Sequence, residues 1–367
     1  MDNLVLYRKY RPKGFDEIIG QEHIVQTLTN SINSGAVSHA YLFSGPRGSG
    51  KTTIARIFAK AVNCETKSGA KPCNKCASCL EINNANSMDL IEIDAASHTG
   101  VDDVRELISG IKFSPVKSKY KIFIIDECHQ LSKSASNALL KTLEEPPSHA
   151  IFILATTEAH KMIPTIVSRC QRFDFKRLHV PEIIKKLEFI SKKENIKFEP
   201  SVLSLIALNA RGSFRDAESV LDKCISFTGK DNVITTEEVK ELLGIVDVSQ
   251  ISNFIDFILA KNVKDAILFL NSLADSGVDL QEFTKTLIFY LRQSLLLKIN
   301  TDLLNTQTSG LSTEEIKKMQ EQIEKLTEKN IQKMLELFID AENKMKYAII
   351  LQLPLELAVV DITYKES

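Results

Sequence analysis

Short apolar runs alternate with stretches of helical period through the first half of the chain. Five short runs are rich in β-branched and aromatic residues, and most of them are apolar at nearly every position: 40–44, 90–94, 121–126, 150–156 and 170–175. Such runs are typical of strands covered on both faces. Helical periodicity lies between them, at 52–62, 101–111 and 134–143. The alternation predicts an α/β domain with a parallel five-stranded sheet.

The second half of the chain has a different pattern. Strand signals stop after about Leu178, and helical periodicity continues to the end, interrupted at 229–232 and again at the connector 244–249. Long amphipathic stretches follow at 250–275, 280–299 and 314–346. We therefore predict three domains, an α/β domain over 1–178 and two all-helical domains over 179–243 and 244–367.

Composition and charge narrow the class of protein. The 367 residues are 44% hydrophobic and 25% charged, as in ordinary globular proteins. No run approaches the roughly 20 apolar residues of a membrane-spanning helix, and no apolar segment follows the charged N-terminus, so a cytoplasmic protein without a membrane partner is expected. The net charge of -1 argues against nucleic acid. Residues 1–180, however, hold 23 basic and 18 acidic side chains.

A glycine-rich segment lies between the first predicted strand and the next helix. Its glycines let successive amides point inward, and the helix N-terminus adds a partial positive charge, so the segment is suited to phosphate. We expect Lys51 to reach the β- and γ-phosphates of ATP and Thr52 to ligate Mg²⁺. A turn that binds nothing is the alternative, which the flanking strand and helix disfavour. The predicted nucleotide ligands are Gly45, Pro46, Arg47, Gly48, Ser49, Gly50, Lys51, Thr52 and Thr53.

Two acidic residues, Asp126 and Glu127, end the third predicted strand. The carboxyl ends of parallel strands share one edge of a sheet, so this pair is expected beside the phosphate loop. Asp126 would hold Mg²⁺, and Glu127 would orient and polarise the attacking water. Two such acids alone are usually only solvated, but beside a phosphate loop they predict a hydrolytic site.

Four of the seven cysteines fall close together, whereas Cys128, Cys170 and Cys224 stand singly among apolar neighbours, as core residues do. The spacing of the four permits a tetrahedral Zn²⁺ site, which would be structural because four thiolates leave no open position. A redox Cys-x-x-Cys pair is the alternative, disfavoured by the overlapping second pair. The predicted zinc ligands are Cys64, Cys73, Cys76 and Cys79.

Several motifs together resemble the AAA+ clamp-loader ATPases, and within them the gamma/tau family of bacterial DNA polymerase III subunits. They include Tyr10-Arg11-Pro12, His39-Ala40-Tyr41-Leu42-Phe43, Asp126-Glu127-Cys128-His129, Leu143-Glu144-Glu145-Pro146-Pro147 and Ser168-Arg169-Cys170. The specific motifs cover most of 1–243, and the rest is similar in helical character and length. The resemblance implies an AAA+ P-loop domain with a zinc module at 64–79, a helical lid and a helical collar for oligomerisation.

The resemblance also implies roles for single residues. Thr157 matches the first sensor, which reports on the γ-phosphate, and Arg215 matches the second sensor on the lid. Arg169 matches the arginine finger, which completes the site of a neighbouring subunit in trans. The adenine would be covered by Tyr7, Arg11 and Pro12.

The function implied is that of an ATP hydrolase, without a polymerase active site, which opens a sliding clamp and loads it onto primed DNA. The partners implied are the delta and delta-prime subunits, further gamma/tau copies in a ring, the beta sliding clamp and primed DNA, at the nucleoid. In such a ring the helix at 98–108 would face DNA, with Thr99 and Arg105 placed to contact phosphates. A solvated helical face is the alternative, because Asp102, Asp103 and Glu106 share this helix.

Two other functions are alternatives. A non-hydrolysing scaffold subunit of the same assembly, resembling delta-prime, is disfavoured by the intact Lys51, Asp126 and Glu127. An AAA+ helicase motor is expected to end in a DNA-binding winged-helix domain, whereas residues 244–367 have a helical pattern throughout.

Overall fold

The computed structural model describes residues 4–66, 69–97, 110–111, 113–229, 233–244, 247–300 and 313–364. The backbone divides into two compact units, Met1–Val233 and Ile234–Ser367. The predicted boundary after residue 178 lies inside the first unit, and the boundary after residue 243 lies inside the second. The DNA-facing helix expected at 98–108 lies outside the described residues.

Helices and strands alternate along the first part of the first unit, from Leu6 to Asp174. The helices are α1 (Leu6–Lys9), α2 (Glu22–Ser34), α3 (Lys51–Val62), α4 (Ala77–Asn83), α5 (Lys133–Glu144) and α6 (Pro164–Val167). The strands are β1 (Ala40–Ser44), β2 (Leu90–Asp94), β3 (Lys121–Asp126), β4 (Ala150–Thr156) and β5 (Gln171–Asp174). Further along this unit, the described residues include α7 (Val180–Glu194), β6 (Lys197–Phe198), α8 (Val202–Asn209) and α9 (Phe214–Thr228), and β7 (Val233–Ile234) spans the division.

The five long strands form one parallel sheet in the order β2-β3-β4-β1-β5. The predicted parallel five-stranded sheet is therefore confirmed. Ser44 aligns with Thr156, and Asp94 aligns with Asp126, so the carboxyl ends of β1 and β4, and those of β2 and β3, lie level. This edge of the sheet is where the candidate site forms.

Both faces of the sheet are covered by apolar side chains. Tyr41 and Phe43 point to one face and pack with Phe58 of α3 in a core cluster. Phe123 and Phe152 point to the other face and stack with ring centroids 5.3 Å apart. Burying an aromatic side chain contributes roughly 1.5–3 kcal/mol, so this layer explains why the strands are apolar at successive positions.

The segment that follows the sheet is helical apart from its two-residue strands. β6 and β7 are too short to produce an alternating pattern in the sequence. The Ser213 side chain accepts a hydrogen bond from Asp216 N and so caps the first turn of α9. The same helix ends at Thr228, where Gly229 takes a φ of +85° that favours glycine. The predicted break at 229–232 thus begins where α9 ends.

The second unit contains α10 (Thr236–Leu243), α11 (Val248–Leu259), α12 (Val263–Asp275), α13 (Leu280–Ile299), α14 (Thr313–Glu324), α15 (Glu328–Met345) and α16 (Leu353–Tyr364). Phe254, Phe283 and Phe338 are fully buried in its core. The predicted stretches 250–275 and 314–346 are each two helices. Asn262 and Thr327 explain this difference, because each caps a new helix with its side chain while the apolar period continues.

Within the described ranges, no single helix is both long and apolar enough to cross a membrane. The pair α10 and α11 meets that test together, but the two helices are bent by 60°.

Candidate active site

The glycine-rich segment forms a tight loop between β1 and α3. Gly48 has a φ of +74°, and a Cβ there would lie 1.9 Å from Ser213 Oγ, so only glycine allows the loop to contact the start of α9. Gly50 is also left-handed, at +98°, and Ser49 Oγ donates to Pro46 O at 2.8 Å. The tight loop therefore leads directly into the first turn of α3, and the free backbone amides of a helix N-terminus are what a phosphate site requires.

Lys51 is buried beneath this loop. Its Nζ donates to Gly45 O at 2.7 Å and to Pro46 O at 3.0 Å. Burial lowers the pKa of Lys51, and the Glu127 and Asp126 carboxylates oppose that effect. The Lys51 ammonium group is therefore near both the loop and the Asp126 and Glu127 carboxylates, in a position to bind a phosphate anion.

A hydroxyl and a carboxylate meet at the end of β3. Thr52 Oγ1 donates to Asp126 Oδ2 at 2.8 Å, so the two side chains that the sequence assigned to Mg²⁺ are in direct contact. A hydroxyl oxygen and a carboxylate oxygen are ligands suited to Mg²⁺. The donor set therefore fits the ion.

Glu127 is held by residues that follow β4. Its Oε2 accepts from Thr157 Oγ1 at 2.8 Å and from Thr157 N at 3.2 Å. Its backbone has a φ of +46°, which is unfavourable for a glutamate and is found at functional sites where surrounding contacts impose it. The predicted sensor and the predicted catalytic carboxylate therefore touch.

His129 is a site residue to which the sequence analysis assigned no role. Its Nδ1 lies 3.0 Å from Thr156 Oγ1 and 3.4 Å from Glu127 Oε2, and its Nε2 lies 3.1 Å from Glu158 Oε2. The signal for His129 in the sequence was its position two residues after Glu127, in the motif Asp126-Glu127-Cys128-His129. Because Glu158 comes from another strand end, only the fold shows this contact.

The start of α9 forms another side of the site. The Arg215 guanidinium lies 5.1 Å from the centre of the Tyr7 ring, a cation–π contact between the lid segment and the N-terminal segment. Burial lowers the pKa of Arg11, and the neighbouring Arg56 adds to that effect, with smaller contributions from Arg215 and Arg8. Several positive groups therefore converge here.

Glu218, one turn after Arg215, is a buried carboxyl group that the sequence analysis missed. It is 5% exposed, and burial raises its pKa to about 7, although Lys186 and Arg11 oppose the shift. No local sequence pattern distinguishes it from a solvated glutamate. Its burial depends on the packing of α9 against neighbouring elements.

A cavity of about 1250 Å³ joins these groups. Its lining includes nearly every residue that the sequence assigned to nucleotide or catalysis: Tyr7, Arg11, Pro12, Gly45, Pro46, Arg47, Gly48, Ser49, Gly50, Lys51, Thr52, Thr53, Asp126, Glu127, Thr157 and Arg215. His129, Glu158, Lys186 and Glu218 also line it. The cavity is larger than the roughly 300–1,000 Å³ of typical ligand pockets, so a nucleoside triphosphate has room in it.

Arg169 is the exception, since it does not line the cavity. Its Nη2 lies 2.6 Å from Glu144 Oε1, its Nη1 donates to Thr165 O at 2.8 Å, and its side chain is one-third exposed (33%). A surface ion pair of this kind contributes only about 0–1 kcal/mol, so little free energy is needed to break it.

The four predicted zinc ligands are brought together. The Sγ atoms of Cys64, Cys73, Cys76 and Cys79 all lie within 4.8 Å of one another. Lys75 N and Cys76 N donate to Cys73 Sγ and lower the pKa of that thiol to about 6. Four thiols this close, with backbone donors that stabilise a thiolate, fit a tetrahedral Zn²⁺.

Comparison with known proteins finds related families along most of the chain. Residues 20–179 match a family described as DNA polymerase III, delta subunit, residues 182–230 match the clamp loader subunit ATPase lid domain, and residues 234–367 match domain III of subunits gamma and tau. DNA polymerase III subunit gamma of Buchnera aphidicola (subsp. Acyrthosiphon pisum) is 38% identical over 369 residues, covering 99% of both chains. The chain belongs to the gamma/tau subunit family of bacterial DNA polymerase III.

Longer relatives of the gamma/tau family show similar identity. Subunit tau of Bacillus subtilis is 44% identical over 99% of this chain, and subunit tau of Escherichia coli is 40% identical over 85% of it. This chain covers 63% and 48% of those two proteins. This chain therefore spans about half to two thirds of the length of these longer relatives.

Glu218 generates a prediction about stability and pH. Its pKa of about 7 in the folded state exceeds the ordinary 4.5, so between these values the native state binds more protons than the unfolded state. Stability therefore falls as pH rises through this window. The Glu218→Gln protein should be more stable relative to wild type at pH 8 than at pH 5.5, by on the order of 1–2 kcal/mol. Denaturant unfolding at both pH values measures this.

The exposed Glu188 of α7 provides a matched control. The Glu188→Gln protein should show no such pH-dependent difference. An equal effect of both substitutions would contradict the burial of the Glu218 carboxyl group.

Proposed function

We propose that this chain is the ATP-hydrolysing motor subunit of a clamp loader, which opens the sliding clamp and places it on primed DNA. The observation that carries the proposal is the cavity in which the phosphate loop, Asp126, Glu127, Thr157 and Arg215 meet. Membership of the gamma/tau family supports the clamp as the object on which the motor acts. The delta and delta-prime subunits, further gamma/tau copies, the beta clamp and primed DNA are the proposed partners, in the cytoplasm at the nucleoid.

Each contact in the cavity has a proposed part in hydrolysis. The loop amides and Lys51 would hold the phosphates, with Thr52 and Asp126 as the ligands of Mg²⁺, which supplies charge neutralisation at the phosphoryl oxygens. Glu127 would accept a proton from the attacking water. Because Thr157 donates to the same Glu127 oxygen, a γ-phosphate that draws Thr157 away would free that oxygen for the water.

For function, we propose the three domains with the boundaries expected from the sequence. Residues 1–178 would bind ATP, 179–243 would form the lid and 244–367 would form the collar that oligomerises. The contact of Arg215 with Tyr7 supports a lid that senses nucleotide, because it joins the two sides of the cavity. Exposed Tyr347, Ile349 and Ile350 in the second unit support an oligomerising surface.

The two alternative functions are less well supported. A scaffold subunit has no need of the Thr52–Asp126 and Thr157–Glu127 contacts that the cavity contains. Residues 234–367 match domain III of subunits gamma and tau, and this match disfavours a helicase motor that ends in a winged-helix domain.

The ATPase rate tests the proposal directly. With its delta and delta-prime partners present, the wild-type chain should hydrolyse ATP fastest when clamp and primed DNA are both added. The Lys51→Ala chain should lose nucleotide binding and stay at background, because the phosphates lose their buried cation. Stimulation by DNA alone would favour a helicase, and background rates under every condition would favour a scaffold.

Arg169 should act in trans. The Arg169→Ala chain should bind ATP normally and hydrolyse it about 10³-fold more slowly in the assembled complex, since arginine fingers contribute about 10³–10⁵. A mixture of Lys51→Ala and Arg169→Ala chains should recover activity, because each supplies what the other lacks. The control is Arg172→Ala, an exposed arginine paired with Asp174. Absence of recovery in the mixture would count against the trans role.

Zinc is the proposed occupant of the four-cysteine module. Metal analysis of the purified protein under reducing conditions should find one zinc per chain. Cys73→Ser should lower that content, whereas Cys170→Ser, outside the cluster, should leave it unchanged. A wild-type zinc content near zero would exclude the structural metal.

A further inference from the structure

Lys60 is a buried lysine near the far end of α3, 2% exposed. Its Nζ donates three hydrogen bonds, to Lys13 O at 2.7 Å, Asn74 Oδ1 at 2.8 Å and Asn83 Oδ1 at 2.9 Å. An ammonium group has three N–H donors, so its donor capacity is filled. This arrangement fixes the position of each acceptor relative to α3.

The three acceptors belong to different segments of the first unit. Lys13 follows Arg11 and Pro12, which line the nucleotide cavity. Asn74 lies in the turn of the cysteine module between Cys73 and Cys76, with a φ of +54°. Asn83 is the last residue of α4, the helix that carries Cys79. Lys60 therefore joins the cysteine module to the N-terminal wall of the cavity.

The charge of Lys60 also involves the cysteines. All three hydrogen-bond acceptors are neutral, and burying an ammonium group without a nearby anion is costly. Burial lowers the pKa of Lys60, and Cys79 and then Glu17 are the main groups that oppose it. Four thiolates around one Zn²⁺ carry a net negative charge, so a metal-loaded module would compensate the ammonium better than four neutral thiols do.

α3 connects the same lysine to the phosphate end of the cavity. The helix begins at Lys51 and Thr52 and runs without a break to Val62. Displacement of Lys60 would therefore affect both the phosphate loop, through the helix, and Arg11 with Pro12, through the Lys13 carbonyl. Nothing else in the proposed hydrolysis uses this residue.

We propose that Lys60 is a positioning residue through which the metal state of the four-cysteine module sets nucleotide affinity. The inference rests on the proposed nucleotide site and assigns a purpose to the module. With the module folded, Asn74 and Asn83 hold Lys60, and Lys60 holds the segment that carries Arg11 and Pro12. Coupling of this kind is reciprocal, so bound nucleotide must also retain the metal more tightly.

A double cycle tests the coupling without measuring hydrolysis. Wild type and Lys60→Met, each zinc-loaded and chelator-stripped, are titrated with a fluorescent ATP analogue. Removing zinc from wild type should weaken binding about fivefold or more, the range in which coupled sites respond. Zinc-loaded Lys60→Met should bind as weakly as stripped wild type, and stripping it should change nothing further.

Release of zinc to a chelator gives the reciprocal readout. Nucleotide should slow that release from wild type and have no effect on release from Lys60→Met. The control is Lys133→Met, the same substitution at an exposed lysine at the start of α5, outside the module, which should behave as wild type in both assays. Nucleotide affinity that is unchanged in zinc-loaded Lys60→Met would overturn the proposal, as would equal weakening of both proteins on stripping.

A second variant covers the case in which Lys60→Met does not fold. Asn74→Gly removes one acceptor and keeps the left-handed backbone, so it should show the same loss of coupling with a folded circular-dichroism spectrum. Normal coupling in this variant would contradict the proposal. If Lys51→Ala binds the analogue as tightly as wild type, the assignment of the nucleotide site is wrong. If Lys51→Ala does not bind the analogue, but removing zinc leaves the affinity of wild type unchanged, only the proposed role of Lys60 fails.

Discussion

The candidate site depends on a parallel sheet that is buried on both faces. Apolar side chains on each side of β1, β3 and β4 hold these strands in one layer, with Ser44 level with Thr156. Parallel strands present their carboxyl ends at one edge, so the residues that follow them meet there. The phosphate loop follows β1, Asp126 ends β3 and Thr157 follows β4. Close contact between these groups is a consequence of strand order.

The polar groups at this edge restrain one another. Thr157 donates a hydrogen bond to the Glu127 carboxylate, with His129 Nδ1 3.4 Å from it, and Thr52 donates one to the Asp126 carboxylate. On the other side of the cavity lie several positive groups: burial lowers the pKa of the half-buried Arg11, and Arg56, Arg215 and Arg8 lower it further, while Glu92 opposes them. A polyanionic ligand would relieve this repulsion. The pocket is therefore electrostatically suited to a triphosphate in a way that the chain's net charge of -1 does not reveal.

The same net charge was a poor basis for excluding a nucleic-acid partner. It sums over two units that fold around separate cores, and a sum says nothing about how charges are distributed over one surface. Membership of a DNA polymerase III subunit family makes a DNA-related function the natural proposal. The helix expected to face DNA lies outside the described residues, so its contacts remain a prediction.

The five strands of the parallel sheet, the phosphate loop, the acidic pair and the four cysteines can all be recognised from the order of residues alone. These features are local, because an apolar run, a Gly-x-x-x-x-Gly-Lys-Thr segment or a cysteine spacing is recorded within a few tens of residues. The burial of Glu218, the position of Arg215 over Tyr7 and the hydrogen bond from Lys60 to Lys13 arise only when the chain is folded. Each of these depends on segments far apart in the chain. Burial and hydrogen-bond partners are set by packing between such segments, which no local pattern of residues specifies.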